Sequence, residues 1–155
     1  MTNPELVRIV LDARDGVLVT VEVNLSAYRN PGSRVVVSEL EVMNLSAGVC
    51  VVTGIGTNWR SRKGREGQIF MPVFSELKSG LRFVVSINDY RAVVDHLRYS
   101  LDRPSQTDAV PSLLIRVATS HGVTVLQPAV EPTHRQFEND FVFELRGSPA
   151  IDEES

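Results

Sequence analysis

The chain has 155 residues, of which 43% are hydrophobic and 23% charged, and its formal net charge is −3 at pH 7. This length is typical of one domain with its own hydrophobic core, and the composition is typical of a soluble globular protein. The apolar runs are far shorter than the ~20 residues that cross a bilayer, so we expect no membrane partner. The negative net charge excludes a general nucleic-acid coat, and any binding of anions must be local.

Alternating apolar residues predict short β-strands through the first half of the chain. We expect a hairpin at Asp15-Gly16, with one face of the second strand buried by Val17, Val19, Val21, Val23 and Leu25. A turn at Asn30-Pro31-Gly32 follows. The six predicted strands cover 6–12, 17–25, 34–43, 48–55, 68–74 and 81–87.

One helix is predicted after the sixth strand. Asn88 is its expected N-cap, Asp89 lies in its first turn, and one apolar stripe contains Tyr90, Val93, Val94, Leu97 and Leu101. A second hairpin, with strands over 113–119 and 123–128, turns at His121-Gly122, and a last strand covers 141–145. The acidic end, 149–155, is expected to fray.

These elements predict a mainly β protein with one α-helix, of the α+β class. The hairpin connections favour an antiparallel β-barrel or a two-layer sandwich, and the absence of βαβ spacing excludes a parallel sheet. We expect a single β-rich domain over 1–148, with a subdomain break near 103–111 as the alternative.

The first ten residues, MTNPELVRIV, contain no basic stretch followed by an apolar block, so we expect no signal peptide. The single cysteine, Cys50, lies in the apolar run GVCVV, where a buried and inert thiol is expected. Both features favour a cytoplasmic location.

The strongest functional signal is the stretch NWRSRKGREGQ, residues 58–68. We refer to 59–65 as the basic loop and expect it to be a long exposed connection between two strands. Arginine binds phosphate through a planar fork, and an aromatic ring stacks on bases. We therefore expect the following residues to bind an anionic partner, with nucleic acid the best candidate: Trp59 by stacking, and Arg60, Arg62, Lys63 and Arg65 at phosphates. Arg116, Arg135 and Arg146 are candidates to extend this basic surface.

A structural or protein-interaction role is the competing hypothesis. In that case the sheet assembles edge to edge into a homo-oligomer, the basic loop is merely solvated, and Trp59 caps the core. The two hypotheses differ in their response to salt, because phosphate binding weakens steeply with ionic strength whereas apolar assembly does not.

No arrangement of residues predicts catalysis or a cofactor. The sequence contains no nucleophile elbow, zinc-protease motif or phosphate-binding loop. Glu131, His134 and Asp140 are scattered around Pro132, which argues against a metal site. Glu39 and Glu41 share one strand face and are interpreted as solvated. We therefore expect a protein that is not an enzyme.

Two short segments resemble known families. The segments 33–50 and 67–73 resemble the strand–turn–strand–basic-loop–strand pattern of the SpoVG-like regulators of sporulation and septation. That resemblance implies a small protein that binds nucleic acid through its basic loop and dimerises through its sheet. Thr53-Gly54 stands where this family has Met-Pro.

The segment 44–48, NLSAG, resembles part of the Asn/Asp-x-Ser-x-x-Gly element of PilZ domains, which are β-barrels that bind cyclic di-GMP. The glycine comes one position early, and the sequence has no R-x-x-x-R pair. A PilZ-like domain of this kind would be degenerate and is expected to lack the ligand. The alternative is a plain Asn-Leu-Ser turn, and we assign the chain to neither family.

Overall fold

The computed structural model of the protein describes residues 5–30, 32–100, 107–133 and 139–144. In chain order the strands are β1 Leu6–Arg14, β2 Val17–Asn24, β3 Arg34–Val37, β4 Glu39–Asn44, β5 Cys50–Ser61, β6 Glu66–Leu77, β7 Arg82–Ser86, β8 Thr107–Thr119, β9 Gly122–Leu126, β10 Glu131–Pro132 and β11 Phe141–Glu144. The helices are α1 Leu25–Tyr28 and α2 Ile87–Ser100.

The strands form three sheets. Sheet A has the order β1-β2-β4-β7, sheet B has the order β10-β11-β3, and sheet C has the order β6-β5-β8-β9. All strand pairs within the described residues are antiparallel. The prediction of a mainly β protein with one substantial helix is confirmed, and none of the three sheets closes into a barrel in the described part of the chain.

The first hairpin forms where the sequence predicts it. Asp15 and Gly16 have φ values of 52° and 81°, as a two-residue turn between twisted strands requires. The predicted apolar face of β2 is buried over Val17, Val19, Val21 and Val23. Leu25 begins α1 instead of ending the strand.

The predicted strand over 34–43 is two strands, which is a correction. The break falls at Ser38, because β3 pairs with β11 in sheet B while β4 pairs with β2 and β7 in sheet A. The carbonyl of Ser38 accepts a hydrogen bond from the amide of Ile87. The sequence does not show this break, because apolar and polar residues alternate through it and the two halves differ only in the strands with which they pair.

The prediction of Asn88 as the helix N-cap is wrong. Helix α2 begins at Ile87, and Ser86 and Asp89 cap it reciprocally. The amide of Asp89 donates to Ser86 Oγ at 3.3 Å, and the amide of Ser86 donates to the Asp89 carboxylate at 2.8 Å. The predicted stripe is buried over Tyr90, Val93, Val94 and Leu97, and its last member, Leu101, lies outside the described residues.

One hydrophobic cluster joins sheets A, B and C with α2. The helix faces sheet C at its N-terminal half, where the Tyr90 hydroxyl and Thr57 Oγ1 are hydrogen-bonded at 3.1 Å. The predicted second hairpin turns at Gly122, whose φ is 114°, and its first strand begins earlier than expected, at Thr107. Residues 107–111 of the predicted break therefore belong to β8; the rest of that range and the tail 149–155 lie outside the described residues.

Candidate anion-binding hairpin

The basic loop is much shorter than the sequence suggests. Strands β5 and β6 each have 12 residues, and only 62–65 lie between them. Gly64 adopts a φ of 83°, and its amide donates to the Ser61 carbonyl at 3.0 Å. The Arg65 amide donates to Ser61 Oγ, also at 3.0 Å. The prediction of a long connection is therefore wrong, because strand pairing continues through most of the basic stretch. We call 62–65 the hairpin tip.

The hairpin tip concentrates positive charge. Arg62, Lys63 and Arg65 are all exposed. None of the three forms an ion pair with any carboxylate in the described part of the chain. Three cations within four residues at the end of a two-stranded ribbon produce a local positive potential, even though the chain as a whole is acidic.

Arg60 differs from the tip cations because a carboxylate offsets its charge. It faces Glu66 across the hairpin, and its Nε and Nη2 atoms donate to Glu66 Oε1 at 2.9 and 2.8 Å. On its other side Arg60 lies opposite Asp108 of β8. The side chains of Arg60 and Glu66 are 61% and 63% exposed, so the pair is well solvated.

Trp59 lies on the face of the ribbon opposite to Arg60. Neighbouring residues of a strand point to opposite faces, so Trp59 and Arg60 lie on opposite faces of sheet C. Trp59 is on the core-facing side, opposite Ala109 and Gly67, and is half-buried. A Cβ added at Gly67 would lie 2.5 Å from Trp59 Cζ2, so the indole ring covers this glycine. The structure thus places Trp59 and Arg60 on opposite faces of the ribbon, with Arg62, Lys63 and Arg65 beyond them at the hairpin tip.

The outer face of sheet C carries an arginine, Arg116, that residues of the neighbouring strands hold in place. Arg116 Nε donates to Thr53 Oγ1 at 3.0 Å, and Nη2 donates to the Thr53 carbonyl at 3.1 Å. The guanidinium carbon lies 4.6 Å from the centroid of the Phe70 ring. No described carboxylate forms an ion pair with Arg116. The alternation of β8, with Leu113, Ile115 and Val117 in the core, is the signal that would have predicted its outward direction.

The same outer face exposes large apolar side chains. Phe74 of β6 is 80% exposed and Val123 of β9 is 70% exposed. Period-two alternation in β6 places Phe70, Pro72 and Phe74 on this face, and that alternation is visible in the sequence.

The other candidate groups have structural explanations. Glu41 accepts hydrogen bonds from Arg8 and from Arg82, so it is not a free acid or base. Cys50 is 1% exposed, as predicted, and burial raises the pKa of its thiol. Among the described residues no group of three or more His, Cys, Asp or Glu could hold a metal ion. His134, Arg135 and Arg146 lie outside the described residues.

The Asn-Leu-Ser segment is a structural turn. Asn44 is fully buried, and its Nδ2 donates to the carbonyls of Gly48 and Leu77 at 2.9 and 2.8 Å. Its Oδ1 accepts from the amide and the hydroxyl of Ser46 at 3.0 and 2.6 Å. Asn44 therefore ties the β4–β5 connection to the end of β6.

Comparison with known proteins gives no assignment: no family model, curated protein or solved structure matches the chain. The described residues contain no helix that is long and apolar enough to cross a membrane.

Proposed function

We propose that this protein is a non-catalytic binding module that recognises an anionic partner, nucleic acid, through the β5–β6 hairpin. The observation that carries the proposal is the hairpin tip, where Arg62, Lys63 and Arg65 are exposed and form no ion pair with a described carboxylate. Side chains in this state are available to phosphates, and neutralising phosphates with Lys and Arg is the main source of sequence-independent affinity for nucleic acid.

The roles within the basic loop are unequal. Arg62, Lys63 and Arg65 contact phosphates directly. Arg60 contributes less, because a ligand must compete with Glu66 for its guanidinium. Trp59 lies against Gly67, and we assign it a role in supporting the ribbon in place of the stacking role that the sequence predicts.

The test is a comparison of two triple variants at one moderate ionic strength. In the first, Arg62, Lys63 and Arg65 are changed to alanine. In the matched control, alanine replaces Lys78, Arg91 and Arg98, which are also exposed and carry the same total charge. Fluorescence anisotropy with labelled single-stranded and duplex oligonucleotides should show roughly tenfold or greater weakening for the tip variant only. Equal weakening by both variants would mean that net charge, not the tip, determines binding.

The alternative is a protein-interaction module, and a specific observation favours it: the outer face of sheet C exposes Phe74 and Val123. In this case the partner is a second copy, and sedimentation shows a dimer that is insensitive to salt. A PilZ-like ligand site is not proposed, because the polar side-chain atoms of Asn44 are engaged within its own turn and at the Leu77 carbonyl of β6.

A further inference from the structure

The outer face of sheet C is continuous with the hairpin tip. Along β6 the side chains on this face are those of Glu66, Gln68, Phe70, Pro72, Phe74 and Glu76. The distance from Phe74 to Glu66 corresponds to eight residues of strand, roughly 26 Å. A ligand held at the tip therefore has a surface of that length beside it.

Two glycines lower the middle of this surface. Gly54 and Gly56 of β5 lie opposite Pro72 and Phe70. A Cβ at Gly56 would lie 2.6 Å from Phe70 Cδ1, and a Cβ at Gly54 would lie 3.0 Å from Arg116 Nη2. The ring of Phe70 and the guanidinium of Arg116 therefore lie close against the backbone of β5, where a side chain larger than that of glycine would meet them.

Arg116 is positioned before any ligand arrives. Thr53 accepts hydrogen bonds from two of its donor nitrogens and its guanidinium carbon lies over the Phe70 ring, so much of its rotamer entropy is already lost. Its other N–H groups remain available to a ligand, because no described carboxylate forms an ion pair with Arg116. This is the arrangement of a cation set to receive a planar or phosphate group.

The two sides of this surface differ in charge. The β6 side carries Glu66 and Glu76 with the exposed ring of Phe74, whereas the β8 side carries Arg116 and, nearer the hairpin tip, Asp108. On the β8 side a phosphate is therefore expected at Arg116 and not beside Asp108, and on the β6 side a base is expected at Phe74. Asn58 and Gln68, which face each other across the hairpin, supply amide groups between these two regions.

We infer that the ligand is a single-stranded nucleic acid that runs from the hairpin tip across the outer face of sheet C, stacking a base on Phe74 and placing a phosphate at Arg116. This inference rests on the proposed function and specifies its substrate class. Sheet faces with exposed aromatic rings and flanking cations bind single strands because unpaired bases offer their faces, whereas a duplex keeps them stacked inside.

The test uses Phe74→Ala, with Tyr99→Ala as the matched control. Phe74 and Tyr99 are 80% and 89% exposed, on β6 and on α2, so neither truncation removes core packing. Anisotropy titrations with labelled single-stranded oligonucleotides of increasing length, and with a duplex, are run beside the tip variant. Phe74→Ala should weaken single-strand binding roughly tenfold and leave duplex binding unchanged, whereas the tip variant should weaken both.

Each other outcome contradicts the inference in a distinguishable way. Equal affinity of Phe74→Ala and Tyr99→Ala for single strands would remove the stacking site and leave the proposed function intact. An equal loss of duplex and single-strand binding in Phe74→Ala would show that stacking is not its role. Failure of the wild-type protein to bind any oligonucleotide would overturn both proposals. A wild-type dimer that becomes monomeric in Phe74→Ala would assign this face to a second copy of the chain.

Discussion

The indole ring of Trp59 lies over Gly67, directly across the β5–β6 hairpin. A strand glycine exposes its backbone and packs nothing, and a large aromatic ring on the neighbouring strand compensates for both effects. The pair occupies the core-facing side of the ribbon, near its distal end, while the cations of Arg62, Lys63 and Arg65 follow at the tip. Trp59 thus stabilises the structure that presents the charge.

Replacing Gly67 with alanine should therefore destabilise the hairpin. The new Cβ would meet the indole at 2.5 Å, so the ring must leave its position. We expect a loss of about 1–3 kcal/mol in the free energy of unfolding, with a red shift of tryptophan emission. Gly48→Ala is the control, because a Cβ there meets nothing within 4 Å. Wild-type emission in Gly67→Ala would show that Trp59 does not depend on the glycine.

Removing the partner of Arg60 should strengthen binding. Glu66→Gln leaves Arg60 without its carboxylate, so affinity for single-stranded oligonucleotides should rise roughly two- to fivefold. Stability should change by less than ~0.5 kcal/mol, because the ion pair is exposed. Asp95→Asn, on the exposed side of α2, changes the net charge equally and should have a smaller effect. A matching gain in both variants would assign the effect to net charge alone.

Tyr90 should make the free energy of unfolding fall as the pH becomes alkaline. Burial raises the pKa of its hydroxyl, and hydrogen bonds from Thr57 and the Ser112 backbone lower it in part. The pKa of Tyr90 is higher in the folded than in the unfolded protein. The contribution of Tyr90 to the free energy of unfolding is therefore fully present below about pH 10 and is lost as pH rises through the folded pKa.

Tyr90→Phe should cost about 1 kcal/mol at pH 8 through the lost bond to Thr57. The difference between wild type and variant in urea denaturation should shrink toward pH 11. A stability difference between wild type and Tyr90→Phe that stays constant from pH 8 to pH 11 would contradict a raised pKa of Tyr90 in the folded protein.

The observed cap of α2 predicts different effects for substitutions at Ser86 and at Asn88. Ser86→Ala removes the hydroxyl that accepts from the Asp89 amide and should cost about 1 kcal/mol. Asn88→Ala changes an exposed side chain in the first turn and should stay within ~0.5 kcal/mol. Thermal denaturation of the two variants would decide between the observed cap and the one the sequence suggested.

The sequence predicts the parts of this fold that depend on local pattern. The Asp15-Gly16 hairpin follows from turn chemistry, and the buried faces of β2 and α2 follow from periods of 2 and 3.6 residues. The break at Ser38 could not be predicted, because it depends on which distant strands each half joins. The cap at Ser86 was missed because Asn88 is an equally good N-cap residue and only the reciprocal bond with Asp89 distinguishes them.

The candidate site could be predicted only in part. Charge clustering identified Arg62, Lys63 and Arg65, but the continuation of strand pairing through Trp59 and Arg60 could not be seen, because polar residues in a ribbon resemble a loop. Arg116 is separated from the tip by about fifty residues of sequence. Its place beside β5 follows from the register of β8, which no local pattern determines.

The most direct measurement of the central claim is the salt dependence of single-strand binding for wild type and the tip variant. Each phosphate contact on a single strand contributes about 0.7 to the slope of log Kobs against log salt. Loss of Arg62, Lys63 and Arg65 should therefore reduce the slope by about 2. Equal slopes for the two proteins would show that the hairpin tip does not contact phosphates, and would contradict the proposed function.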